Sequence, residues 1–465
     1  MLSTAAGVLA RNPSAEALAS GGTTYATSTT PDTARNVLDL NVIWRGRNPA
    51  IPAPWETTER TTKSIAAGVD KLLSQARGQN ADARSAQAAL TVAEEDVLWR
   101  GRRSKGWLVN RNSALEARQE LRGLLEGATQ EIGLDLSRHN NATVRWLRER
   151  GAASDLKLDW SGAPKVAVDI DRSTEDPQLQ RYLQIREWGS ELTAVNTIAK
   201  SMAGGRVFAT LDINRAVTGR ALMSRPNLNA LKKSRGELLI AEPGNVLIST
   251  DMKNAELRVL AALLPLYARP HGDSDYLASA EAFAQAVMET DPYVHIADHA
   301  GSDVDRKVAK MAFLARTYGQ GAPALGGQIG SARASRIGQA IRTLYPVLPK
   351  FFDRVMARAR SGAPLTTLWG RRLPAPDDGK YYKAVNYVVQ GSARDAFGVA
   401  MRNTSQALGS ESLWLPAHDE IIVEVPAASG ADALGAMHLA FDIDLGRGVR
   451  VLGEPELLGR SWSKQ

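Results

Sequence analysis

Cysteine is absent from all 465 residues, which excludes disulfides, thiolate zinc sites, iron–sulfur clusters and cysteine nucleophiles together, and favours a reducing compartment such as the cytoplasm. No apolar run approaches the roughly 18 residues needed to cross a bilayer, so no membrane partner is expected. The stretch Ala5 to Ala10 is too short for a signal-peptide core and lacks a basic leader. Lysine is scarce, with 15 residues against 42 arginines. That imbalance fits either phosphate recognition by planar guanidinium groups or the base composition of a GC-rich genome. The net charge of +7 admits an anionic partner without demanding one.

What is present is length and apolar content. The chain is long enough for about three domains at ~100–200 residues each, and 44% hydrophobic residues supply sizeable cores. Residues 1–30 read as a flexible tail rich in Ala, Ser, Gly and Thr, and 31–96 as a region of unassigned role with a helical pattern around Ile65 to Leu73. The run Val42 to Arg47 returns as Val97 to Arg102, but flanks without similarity make no repeat. A long helix is predicted from Asn112 to Ile132, capped by Asn112 or Ser113, with Leu121, Leu124, Leu125, Ala128 and Ile132 on one side. A second opens behind Asp176-Pro177 and carries an apolar stripe to Ile198, so that the two can pair as an antiparallel tower. Further on, Asn245 to Thr250 reads as a buried strand, Glu256 to Leu264 as a helix, 278–345 as mostly helical, and Leu413 to Val425 as a hairpin with a Pro416-Ala417-His418-Asp419 corner.

Three constellations carry chemistry. Asp251 stands where the buried strand ends, and Asp419, beside Glu420, stands at the hairpin tip. Two carboxylates presented by neighbouring strands can hold hard cations through oxygen, and a pair of Mg²⁺ ions there would activate a hydroxyl and stabilise a leaving phosphate oxygen. The third element is a basic helix in which Arg306 and Lys310, four residues apart, share one face able to neutralise a triphosphate, with Tyr318 beside Gly319 at its end. Each element alone is an ordinary surface feature.

Taken in order, they resemble motifs A, B and C of the DNA polymerase I family, family A. Asp251-Met252-Lys253-Asn254-Ala255-Glu256-Leu257-Arg258 is similar to motif A; Arg306, Lys310, Tyr318 and Gly319 to motif B; His418-Asp419-Glu420 to motif C. Thr218-Gly219-Arg220, Pro226-Asn227-Leu228, Gly370-Arg371-Arg372, Asn386, Gln390-Gly391-Ser392-Ala393, Gly459 and Trp462 extend the resemblance over roughly residues 100–465, with Ser161-Gly162-Ala163-Pro164 and the two long helices resembling the thumb.

The resemblance implies an α+β right-hand fold with an antiparallel-sheet palm and helical fingers and thumb. The thumb would span 97–205 and the fingers 265–365, with the palm made of two segments, 206–264 and 366–465. It implies a DNA-directed DNA polymerase that extends primer–template DNA from dNTPs, with two Mg²⁺, or Mn²⁺ in their place. Asp251, Asp419, Glu420 and the main chain of Met252 would serve the metals. Lys310 would serve the departing pyrophosphate, Arg306 and His295 the outer phosphates, Tyr318 the base and Glu256 the sugar, as a gate against ribose. Arg220, Asn386, Gln390 and His418 would touch DNA.

Some positions depart from the family. Leu314 stands where Phe or Tyr is usual, with Phe313 one residue earlier; Ala255 replaces a larger aliphatic; Tyr382 takes the place of an Arg. About 95 residues precede the thumb and hold no Asp-x-Glu pair there, so no 3′–5′ exonuclease is expected, and modest fidelity or lesion tolerance fits Ala255. A processivity or exonuclease partner is not readable. The alternatives are a single-subunit RNA polymerase, against which Glu256 and Glu420 argue, and a catalytically inactive DNA-binding scaffold, against which the retained Asp251, Asp419 and Lys310 argue.

Overall fold

The structure, a computed structural model, describes residues 94–138, 140–152, 176–213, 216–317, 319–376 and 379–463, residues 88, 91 and 92, and the short strands Ala17–Ser20, Thr23–Ala26, Val37–Asp39, Lys157–Leu158 and Pro164–Lys165. The helical pattern at Ile65 to Leu73 and the match at Ser161 to Ala163 lie outside the described residues. Inside the stretch read as a tail, Ala17–Ser20 and Thr23–Ala26 pair antiparallel, with Ser20 opposite Thr23. Thr and Tyr favour strands, which a composition reading of the tail overlooked.

Chain order then runs through helix α1 (Arg100–Lys105), strand β1 (Trp107–Val109), α2 (Arg111–Ile132), α3 (Asn141–Glu149) and α4 (Pro177–Lys200). Asn110 caps α2, its side-chain oxygen accepting from the Ser113 amide at 3.3 Å; the cap lies two residues ahead of the predicted one. Leu124 is exposed, while Leu121 and Ala128 are buried. Asp176 caps α4 as expected, with proline in the first turn. The two long helices run antiparallel: Arg181 near the start of α4 meets Glu131 near the end of α2 at 2.7 Å, and Arg235 bridges Glu120 and Glu191 further along. At one end of this tower Ala128, Leu136, Leu147, Leu179, Tyr182 and Ile185 form a core of their own.

Residues 99–109 belong with the sheet and not with the tower. Trp99 and Trp107 are fully buried, and the Trp107 indole donates to the Trp414 carbonyl at 2.6 Å. Strand β1 pairs with β2 (Arg206–Val207) and β3 (Leu239–Ile240). Glu242 clasps this corner, 2.7 Å from Arg206 and 3.2 Å from Lys105. The hydrogen bond from Arg206 is the main cause that holds its carboxyl at about 2. A depressed acid stabilises the fold above its ordinary value of 4.5, and that contribution disappears as pH falls toward 2. Glu242→Gln should therefore flatten the loss of stability across that window, read as urea midpoints of both proteins against pH.

The central sheet is antiparallel, ordered β5 (Leu413–Ala417), β6 (Glu420–Pro426), β4 (Asn245–Met252), β7 (Gly453–Gly459). Strand β4 is buried on both faces from Leu247 to Thr250, so its residues run Leu-Ile-Ser-Thr without the alternation of charged and apolar side chains that a half-exposed strand shows. Helix α5 (Ala255–Leu263) follows directly, then α6 (Ser274–Glu289), α7 (Pro292–Ala300), α8 (Arg306–Thr317), α9 (Ala322–Ile329), α10 (Ser331–Leu344) and α11 (Val347–Arg360). The 26-residue helix α12 (Lys383–Leu408) packs on α5 and on α13 (Gly430–Ala440), which covers β4 and β7. Among the described residues, no helix is long and apolar enough to cross a membrane.

Candidate active site

The ladder between β4 and β6 sets Asp251 opposite Glu420, and the next amide, Met252 N–H, donates to the Asp419 carbonyl at 3.1 Å. Two aspartates 168 positions apart in sequence therefore lie on adjacent backbone at one end of the sheet. Asp419 is the second residue of a two-residue turn between Ala417 and Glu420, and His418 before it has φ +59°. That left-handed conformation, strained for a side chain other than glycine, turns the strand sharply enough to expose both residues.

Asp419 and His418 line a cavity of about 370 Å³ together with Arg220, Glu256, Gln390 and Arg394. Asp419 reaches solvent, yet protein walls its carboxyl closely, and this burial, reinforced by the Glu256 carboxylate, pushes its pKa above the usual range against the pull of Arg220 and His418. Glu256 sits in the first turn of α5 and meets Arg220 at 3.1 Å. Asn386 and Gln390 share a face of α12; the Asn386 side-chain oxygen is buried without a hydrogen-bond partner.

A second cluster sits on the helices. The Arg306 guanidinium lies 5.6 Å and the Lys310 ammonium 5.9 Å from the centre of the Tyr293 ring, so both cations of the shared helix face meet one aromatic side chain. Arg306 is also held by Asp291 at 2.7 Å, and the His295 ring faces the Tyr345 hydroxyl at 3.3 Å. Phe313 is buried edge-on against Tyr293 at 5.6 Å, leaving half-buried Leu314 on the face of Arg306 and Lys310. None of Arg306, Lys310, His295 and Leu314 lines the cavity. Tyr318 lies outside the described residues. Tyr382 packs its ring on Gly319, where any Cβ would collide with it.

Two expected metal groups stand differently from the simple reading. Glu420 is buried and committed, its carboxylate accepting from the Ser249 hydroxyl and pairing with Lys233 at 2.6 Å. The Met252 side chain is buried in the core, so only its main chain can face an ion. Among the described residues, no three His, Cys, Asp or Glu side chains gather as a metal cage. Sequence reasoning also missed Lys233, and Arg394 with its partner Glu95; their pairings span long separations that leave no local pattern.

The family model for DNA polymerase family A matches residues 159–440. The chain is 34% identical over 226 residues to the DNA polymerase of Mycobacterium phage L5, covering 48% of this chain and 35% of that protein. It is 31% identical over 231 residues to the DNA polymerase of Mycobacterium phage D29, covering 48% and 36%. These matches span about a third of the length of the curated relatives. Among solved structures, the POL domain of Pol1 from M. smegmatis, in complex with DNA primer-template and dNTP, superposes with a TM-score of 0.59 at 21% identity, covering 86% of this chain and 73% of that one.

Proposed function

The chain belongs to DNA polymerase family A, and from that premise we propose that it is a DNA-directed DNA polymerase, extending a primer on a DNA template from dNTPs in a bacterial cytoplasm. The observation that carries the proposal is the convergence of Asp251 and Asp419 on adjacent backbone at the open end of the sheet. The similarity to phage polymerases supports the setting.

The donor set fits Mg²⁺. Its oxygens are hard and exposed, and Mg²⁺ is ordinarily held by one or two carboxylates plus substrate phosphates and not by an all-protein cage. The Asp419 carboxylate lies at the cavity wall with Glu256, so two acids face one space that a cation can fill. Bound there, such ions supply a lowered pKa for the primer 3′-hydroxyl and a counter-charge for the departing phosphate oxygen. Asp251 and Asp419 hold them. Arg306, with His295, orients the outer phosphates, and Lys310 neutralises or protonates the leaving pyrophosphate. Arg220, Asn386 and Gln390 meet minor-groove acceptors shared by correct pairs, and His418 meets the primer end. Glu256 sets the room beside the sugar.

Extension of a labelled primer–template by the purified protein with Mg²⁺ tests the proposal. Template-directed addition of deoxynucleotides is expected; no extension, or preference for ribonucleotides, contradicts it. Glu256→Ala should lower the dNTP-to-rNTP ratio of kcat/KM by about 10–100-fold, the range available to shape discrimination in a pocket, measured by single-nucleotide incorporation.

A further inference from the structure

Beneath the turn that carries Arg220 lies a buried ionic network with no share in the roles above. Arg371 donates to the Thr218 carbonyl at 2.8 Å and Arg394 to the Gly219 carbonyl at 2.9 Å, so two consecutive carbonyls of the turn rest on two guanidinium groups. Gly219 has φ +84°, which glycine adopts without steric cost, and its carbonyl in that turn is the one Arg394 holds. Arg371 is paired with Asp395 at 2.8 Å. Arg394 is held by Glu95 at 2.7 Å, and Glu95 also accepts from Arg402. Glu95 is 1% exposed and comes from the segment ahead of β1, 299 positions before Arg394.

Helix α12 is shaped to admit that carboxylate. A Cβ at Gly398 would collide with a Glu95 oxygen, so no other residue fits there while Glu95 stays in place. Glycine inside a helix costs about 1 kcal/mol relative to alanine, and burying each ion of the network costs several kcal/mol, so packing stability alone is a poor reason for this arrangement. Burial pushes the Glu95 carboxyl above its usual range, opposed by Arg394 and Arg402. On the other side of the turn Arg220 reaches Glu256, and Arg220, Glu256 and Arg394 line the cavity of Asp419.

We infer that Glu95 is a positioning residue: through Arg394 and the Gly219 carbonyl it fixes where Arg220 and Glu256 stand, and so sets discrimination between deoxy- and ribonucleotides. The inference rests on the polymerase reading. Neutralising Glu95 removes the counter-charge that Arg394 and Arg402 share and leaves Arg394 the more distant Asp395 at 3.6 Å, which loosens its guanidinium against the Gly219 carbonyl.

The test measures kcat and KM for a matched dNTP and its rNTP, below the unfolding temperature, in wild type, Glu95→Gln, Arg394→Lys, Glu256→Ala and the double variant Glu95→Gln/Glu256→Ala. Glu95→Gln and Arg394→Lys are each expected to lower the dNTP-to-rNTP ratio about 10-fold, through the KM for dNTP more than through kcat. In the double variant the ratio should match that of Glu256→Ala alone, since contacting residues couple non-additively. A ratio unchanged in Glu95→Gln, or a full multiplicative loss in the double variant, overturns the inference. If Glu95→Gln does not fold, Arg394→Lys decides by the same ratio. Absence of extension by the wild type overturns the polymerase reading instead.

Discussion

Asp419→Ala is expected to cut the rate of primer extension roughly 10³-fold, the scale on which one preorganised charge-stabilising group is lost, while leaving the protein at least as stable as wild type. The two halves of this result have one cause. The turn is held by main chain, through the Ala417–Glu420 pair and the Met252 amide bonded to the Asp419 carbonyl, and those contacts survive the loss of the side chain. The carboxylate itself is costly, because burial and Glu256 raise its pKa. For an acid with a raised folded pKa, ionisation favours the unfolded chain, so the protein loses stability as pH rises through that value, and removing the group at neutral pH removes the cost. Extension kinetics and thermal unfolding at pH 7 measure both. Retained activity, or activity lost together with a fall in Tm of several degrees, contradicts the account.

The largest effect on stability is expected at Arg102→Ala. Arg102 and Glu424 meet at 2.6 Å with each side chain only 2% exposed. Arg102 also donates to the Leu413 carbonyl at 3.2 Å, so one guanidinium joins α1 to the two strands that carry Asp419 at their turn. Glu424 accepts from the Glu242 amide as well. Deleting the arginine leaves a buried carboxylate whose remaining counter-charge is Lys105 at 3.9 Å, a loss of about 3–5 kcal/mol, whereas replacing both partners with apolar groups of similar size approaches neutrality. Urea unfolding of Arg102→Ala and of Arg102→Met/Glu424→Leu separates the two cases. A loss below about 1 kcal/mol in the single variant, less than even a typical core truncation, would show that residues 99–109 do not belong to the sheet core.

The elements legible in the sequence were those whose signal is local. Strand β4 is covered on both faces and carries the apolar run Val246-Leu247-Ile248, the Pro416-Ala417-His418-Asp419 corner separates two strand-forming stretches, and Asp176-Pro177 marks the start of α4. The order of Asp251, Arg306, Lys310 and Asp419 along the chain was likewise visible, because those spacings are short or belong to a family pattern. What a side chain does across hundreds of positions was not. Nothing near Glu420 announces that Lys233 and Ser249 occupy it, and Glu95 sits in an ordinary acidic run. Gly398 was the available clue to Glu95: a glycine inside a long helix signals a close neighbour. The first turn of α2 was misplaced by two residues because Asn110, Asn112 and Ser113 are all good caps, and only tertiary packing chooses among them.

Asp251 and Asp419 are proposed to grip the same pair of divalent ions. The most direct test is a crystal structure of the protein with primer–template, a dNTP and Mn²⁺, read by anomalous scattering. The account predicts manganese within about 2.5 Å of an oxygen of each aspartate, the distance of direct coordination. Manganese bound elsewhere, or the two carboxylates turned apart with no ion between them, would contradict it.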